Sequence, residues 1–124
     1  MQLLIKGQLM KIETINIKED YPPADVAIAM MEIEIDRLAK SDVLALKVIH
    51  GYGSHGVGGE IKRQVHSRLA ELKKQKKIKD YIPAEQFGFL ARQDKYVLNK
   101  LPELIYDLDL GNYNNGITIV LLKK

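Results

Sequence analysis

The chain reads as an α/β protein: a two-layer sandwich of order β-α-β-α-β, an insertion, then β, with a mixed sheet of about four strands and two main helices. Three observations predict this. Short β-branched or apolar runs recur along the chain at 11–17, 44–49, 78–82 and 117–122. The first three are separated by segments with helical periodicity, and strands alternating with helices imply an α/β layer arrangement. A glycine-rich stretch joins the second run to the second helix, as strand-to-helix loops in such folds do.

Each element has a local cause. Lys11 to Ile17, KIETINI, is a short β-branched run and predicts a strand. Lys18-Glu19-Asp20-Tyr21 leaves it as a polar loop, and Pro22-Pro23 suits a helix start. From Ala24 to Lys40 two adjoining stripes are mainly apolar, one with Val26, Met30 and Ile33, the next with Ala27, Met31 and Leu38. The helix is therefore expected to pack broadly on the sheet. Leu44 to Ile49, LALKVI, is almost continuously apolar and predicts a buried central strand. Ile61, Val65, Leu69 and Leu72 form the apolar stripe of a second, amphipathic helix, with Lys62, Arg63, His66 and Lys73 off it. His66 is expected at the surface. Ile78 to Ile82 is a short strand ended by Pro83, and ITIVLL at 117–122 a strong final one. Residues 86–115 read as an irregular insertion holding one helix, Gln93 to Lys100.

With 124 residues the chain is expected to form a single domain, 1–124. Residues 1–10 read as an N-terminal extension: either Leu3, Leu4 and Ile5 add an edge strand, or translation begins at Met10. The absence of cysteine excludes disulfides, thiolate metal sites and a cysteine nucleophile. No apolar run approaches the roughly 20 residues of a spanning helix. A cytoplasmic protein is expected, with no membrane partner. The oligomeric state is not encoded in any pattern seen here. Charge is uneven. Residues 60–80 hold eight Lys or Arg against three acids, a net of +5 in a chain of net +3. A basic helix on a nearly neutral body suits a polyanion partner.

The chemistry concentrates at HGYGSHGVGG. Five of the nine glycines lie between Gly51 and Gly59. At a strand-to-helix junction, Gly51, Gly53, Gly56, Gly58 and Gly59 let a phosphate approach helix N–H groups that lack intrahelical partners. Lys62 and Arg63 in the first turn add cations, and Tyr52 and Tyr81 offer rings for stacking on bases. His50, at the C-terminal end of a strand, is the candidate catalytic residue, as acid, base or phosphate donor. The loop lacks the closing Gly-Lys-Ser/Thr of a Walker A sequence and has no acid placed for a dinucleotide fold. Three histidines without matched acids do not make a metal site. No cofactor is expected. Glu19 and Asp20 would approach His50 if the first two strands are parallel neighbours, which would allow a divalent cation with oxygen ligands.

The run LKVIHGYGSHGVGGEIKRQVHSRL resembles the Small MutS-related (Smr) domain, whose strand ends in His-Gly-x-Gly before a glycine-containing loop and a basic helix. His50, Gly51 and Gly53 match it, and IKDYIPAEQFG and GITIVLL resemble later family strands. The resemblance implies a fold like the C-terminal domain of translation initiation factor three. It also implies nucleic-acid binding, to DNA or RNA, with endonuclease activity in several members. The family's Leu-Asp-x-His-Gly motif falls on Ile15 to Glu19, where this chain has Asn16 for the acid, Lys18 for the histidine and Glu19 for the glycine. A nuclease site built on that Asp and His is incomplete, whereas Lys18 suits a phosphate contact. The expected function is thus nucleic-acid binding. The alternatives are a nuclease relying on His50, a binder of a small phosphorylated ligand, and a protein-interaction module using the insertion.

Overall fold

The computed structural model describes residues 11–51, 58–87, 94–107, 110 and 115–123. The strands are β1 (Ile12–Asn16), β2 (Ala45–Ile49), β3 (Ile78–Pro83) and β4 (Ile117–Leu122). The helices are α1 (Ala24–Ala39), α2 (Gly58–Lys74) and α3 (Lys95–Lys100), with single helical turns at Ala84–Gln86 and Pro102–Tyr106. The strands form one mixed sheet in the order β1-β2-β4-β3. β1 and β2 are parallel, and β4 runs antiparallel to both β2 and β3. The predicted α/β class, four-stranded mixed sheet and two main helices are all present.

α1 and α2 cover one face of the sheet. Their buried residues are Ala27, Met31, Ile35 and Leu38 from α1, and Ile61, Val65, Leu69 and Leu72 from α2. These meet Leu46 and Val48 of β2 and Val120 and Leu122 of β4. The α2 stripe is the predicted one. The α1 stripe is narrower than predicted: Ile35 is buried, whereas Val26, Met30 and Ile33 are exposed. A helix lying on a sheet seals roughly one apolar stripe, so the second adjoining stripe stays outside.

β4 is buried along its whole length. Its side chains alternate between two layers, as the two-residue repeat of a strand requires. Val120 and Leu122 point to the helices; Ile117, Ile119 and Leu121 belong to a second cluster. That cluster is completed by the segment read as an insertion. Phe87, Val97, Leu101, Leu104 and Leu110 are buried there against Ala45 and Ile82. Lys47, which interrupts the apolar run of β2, is paired at 3.0 Å with Asp107 of this segment. Asp94 caps α3 by accepting the Tyr96 and Val97 N–H groups.

β3 carries an irregularity that matters for the site. Its register with β4 shifts between Ile78 and Asp80. Regular alternation would put Ile78 and Ile82 on the same face; instead Ile78 packs with the helices and Ile82 with the second cluster. The bulge thereby turns Tyr81 to the helix side.

If the second cluster is part of the cooperative core, Leu101→Ala will cost about 2–5 kcal/mol in denaturant unfolding, the usual cost of truncating a buried leucine. Leu98→Ala, at a 40% exposed position, will stay within about 0.5 kcal/mol of the parent. An unchanged midpoint for Leu101→Ala would detach this segment from the core.

Candidate functional site

The C-terminal ends of the parallel strands β1 and β2 lie side by side, Asn16 opposite Ile49. Beyond β1 the Ile17 N–H still donates to the Ile49 carbonyl at 3.0 Å. The chain then turns. The Asn16 side-chain oxygen accepts the Lys18 N–H at 3.0 Å, and the Lys18 carbonyl accepts the Tyr21 N–H at 2.9 Å. Asp20 and Tyr21 both take positive φ, 61° and 49°. Asn16 therefore does turn-forming work through its carbonyl oxygen.

This turn lays Lys18 across Gly51. Gly51 has φ +75°, and a β-carbon there would stand 2.9 Å from the Lys18 Cδ. The positive φ favours glycine at this position, and a β-carbon would displace the Lys18 side chain. Among the described residues the Lys18 ammonium has no carboxylate partner.

His50 sits beneath. It extends the alternation of Leu46 and Val48 and so faces the helices, fully buried. Its backbone N–H and that of Gly51 both donate to the Gly116 carbonyl, at 2.9 and 3.0 Å. Its ring is held at both nitrogens: Nδ1 lies 2.7 Å from the Gly51 carbonyl and Nε2 lies 2.8 Å from Thr118 Oγ1. Thr118 Oγ1 is also 2.9 Å from His66 Nε2. The two imidazoles meet edge to face at 5.5 Å, and His66 lies 6.2 Å from the Tyr81 ring at a tilt of 32°.

Donor counting fixes the direction of this chain. A carbonyl only accepts, so His50 Nδ1 carries the proton. Burial, aided by His66 and Lys62 nearby, lowers the His50 pKa from the ordinary 6.5 to about 4, so the ring is neutral and its Nε2 is an acceptor. Thr118 must then donate to His50. Its only proton is used, so His66 Nε2 donates to Thr118. Burial first, and Lys62 second, also hold His66 below the ordinary histidine range. A neutral His66 with its proton on Nε2 keeps a bare lone pair on Nδ1.

The predicted site residues thus divide. Lys18, His50 and Gly51 come together. Lys62 lies beside the histidines and pairs with Glu85 at 2.9 Å. Arg63 points elsewhere, pairs with Glu60 at 2.6 Å, and lines a separate groove with Ile28 of α1. Gly58 and Gly59 open α2. Tyr52, Gly53 and Gly56, with His55, lie outside the described residues. His66 corrects the expectation of a surface residue: it is half-buried and tied to the sheet through Thr118. β1 and β2 are parallel neighbours, as an approach of Glu19 and Asp20 to His50 requires, yet the carboxylate that acts on His50 is Glu85. Among the described residues no group of three or more His, Asp or Glu is placed to hold a metal ion.

Sequence reading missed Thr118 and Glu85. Thr118 had a signal: it is the one polar residue in ITIVLL, a strand buried throughout. Buried hydroxyls need partners, so such a residue points to another polar group inside.

Comparisons with protein-family models, with curated proteins and with solved structures each return no match to this chain.

The buried chain makes stability depend on pH. The unfolded His50 protonates near 6.5 and the folded one near 4, so its contribution is complete above 6.5 and is lost as pH falls toward 4. The shift corresponds to at most about 3 kcal/mol. Thermal unfolding should show stability falling as pH drops from 6.5 toward about 5. In His50→Gln that slope should shrink, with His66 supplying the remainder. An unchanged slope in His50→Gln would contradict a buried neutral His50.

Proposed function

We propose that this chain is a nucleic-acid-binding domain of the Smr type, holding backbone phosphates at the C-terminal ends of β1 and β2 beside the start of α2. One observation carries the reading: Lys18 is laid across Gly51 by a built turn, and its ammonium has no carboxylate partner among the described residues. Most other cations near the loop are balanced, Lys62 by Glu85 and Arg63 by Glu60. Lys18 is thus the charge free to meet a phosphate. Lys74, Lys76 and Lys77 extend an exposed basic surface past the end of α2.

The two departures from the family motif fit binding better than cleavage. Asn16 accepts a backbone N–H that an aspartate would also accept, but it offers no proton transfer at neutral pH. Lys18 supplies fixed positive charge in place of an imidazole. His50 is sealed, with both ring nitrogens engaged inside the fold. It holds the Gly51 carbonyl rather than reaching a ligand. The role read for His50 is therefore that of a positioning residue.

Fluorescence anisotropy with a labelled oligonucleotide tests this across a salt series. Binding should weaken linearly in log K against log salt. Lys18→Gln should weaken binding at low salt and reduce the slope by about one. Lys40→Gln, at the far end of α1, should change neither. Salt-independent binding, or no binding at low salt, would overturn the reading. A thermal shift with a mononucleotide but none with oligonucleotides would replace it with a small phosphorylated ligand.

A further inference from the structure

A groove of about 600 Å³ runs between α2 and β3. His66 and Ala70 wall it from the helix, and Tyr81 and Pro83 from the strand. Two ion pairs bridge helix to strand side on either side of His66, Lys62 with Glu85 at 2.9 Å and Lys73 with Asp80 at 3.0 Å. The groove lies apart from Lys18 and Gly51 but is joined to them through His66, Thr118 and His50.

Its chemistry is specific. The direction of the hydrogen-bond chain leaves His66 Nδ1 as a lone-pair acceptor. Among the described residues nothing donates to it, and the only buried side-chain polar atom without a partner is Arg68 Nε. His66 Nδ1 is therefore not among the sealed atoms, and it belongs to a residue that walls the groove. Beside it stands the Tyr81 ring, which the β3 bulge has turned to this side. A ligand matching both features has a flat π face and an N–H at its edge. Every nucleobase has both, and only an unpaired, unstacked base offers its ring face together with its Watson–Crick N–H.

We propose that the groove between α2 and β3 is a nucleobase subsite. It takes an unpaired base, stacked on Tyr81 with an N–H directed at His66 Nδ1. The proposal rests on the nucleic-acid reading and adds to it a preference for single strands over duplex. Pro83 favours an open rim: it has no N–H to offer a further strand at this sheet edge. The expected recognition tolerates any base, because stacking and a single N–H do not distinguish among the four.

The test compares three labelled probes of equal length by anisotropy: a single strand, an abasic strand with the same phosphates, and a duplex. The single strand should bind tighter than the abasic strand by roughly 5- to 150-fold, the worth of one stacked base, and tighter than the duplex. Tyr81→Leu and His66→Ala should each reduce that difference while keeping the salt slope. Tyr81→Phe, which keeps the ring, should preserve it. Equal binding of abasic and base-bearing strands by the parent protein overturns the subsite and leaves phosphate binding standing. A difference that survives Tyr81→Leu overturns it as well. If neither strand binds, the subsite and the function proposed above both fall.

Discussion

A threonine hydroxyl has one proton, and at Thr118 two imidazole nitrogens lie within reach of it. That scarcity orients the whole site. The Gly51 carbonyl at one end of the chain can only accept, so every donor behind it is assigned in turn, out to His66 at the groove. The arrangement is possible because β4 is buried on both faces, with Thr118 fully enclosed. An unpaired hydroxyl or imidazole there would lose water without compensation. The fold therefore tolerates these three polar side chains only as a connected set.

The sheet geometry delivers the set. β2 and β4 are paired with Val48 opposite Thr118, so His50, two residues on, lies on the same face and within reach of the threonine. Alternation sends Leu46, Val48 and His50 to the helices, and Thr118, Val120 and Leu122 to the same side. α2 contributes His66 one residue beyond its buried Val65. The β3 bulge then supplies Tyr81 where regular alternation would have left Ile82. Two ends result. At one, Gly51 is pinned to a buried imidazole and crossed by Lys18; at the other, His66 and Tyr81 wall a groove.

The strands and main helices were legible because β-branched runs and the α2 stripe have no competing reading. His50 and Gly51 were singled out from the strand end and the glycine-rich loop, and Lys18 from its place in the resembled family motif; the structure brings the three together. What was hidden had physical reasons. Two apolar stripes on α1 compete on sequence, and only packing selects Ile35 over Val26, Met30 and Ile33. The second core layer draws on Phe87, Val97, Leu101, Leu104 and Leu110, whose spacing follows no single period. The bulge near Lys79 has no glycine or proline to mark it. His66 lies next to the apolar stripe of α2, so its burial depends on a threonine 52 residues away.

The most direct test is the protonation pattern of the imidazoles themselves. Long-range proton–nitrogen NMR correlations at neutral pH distinguish the two neutral tautomers of each histidine. The account predicts a neutral His50 with its proton on Nδ1 and a neutral His66 with its proton on Nε2. A His50 proton on Nε2 would reverse the chain, remove the lone pair assigned to His66 Nδ1, and contradict the account.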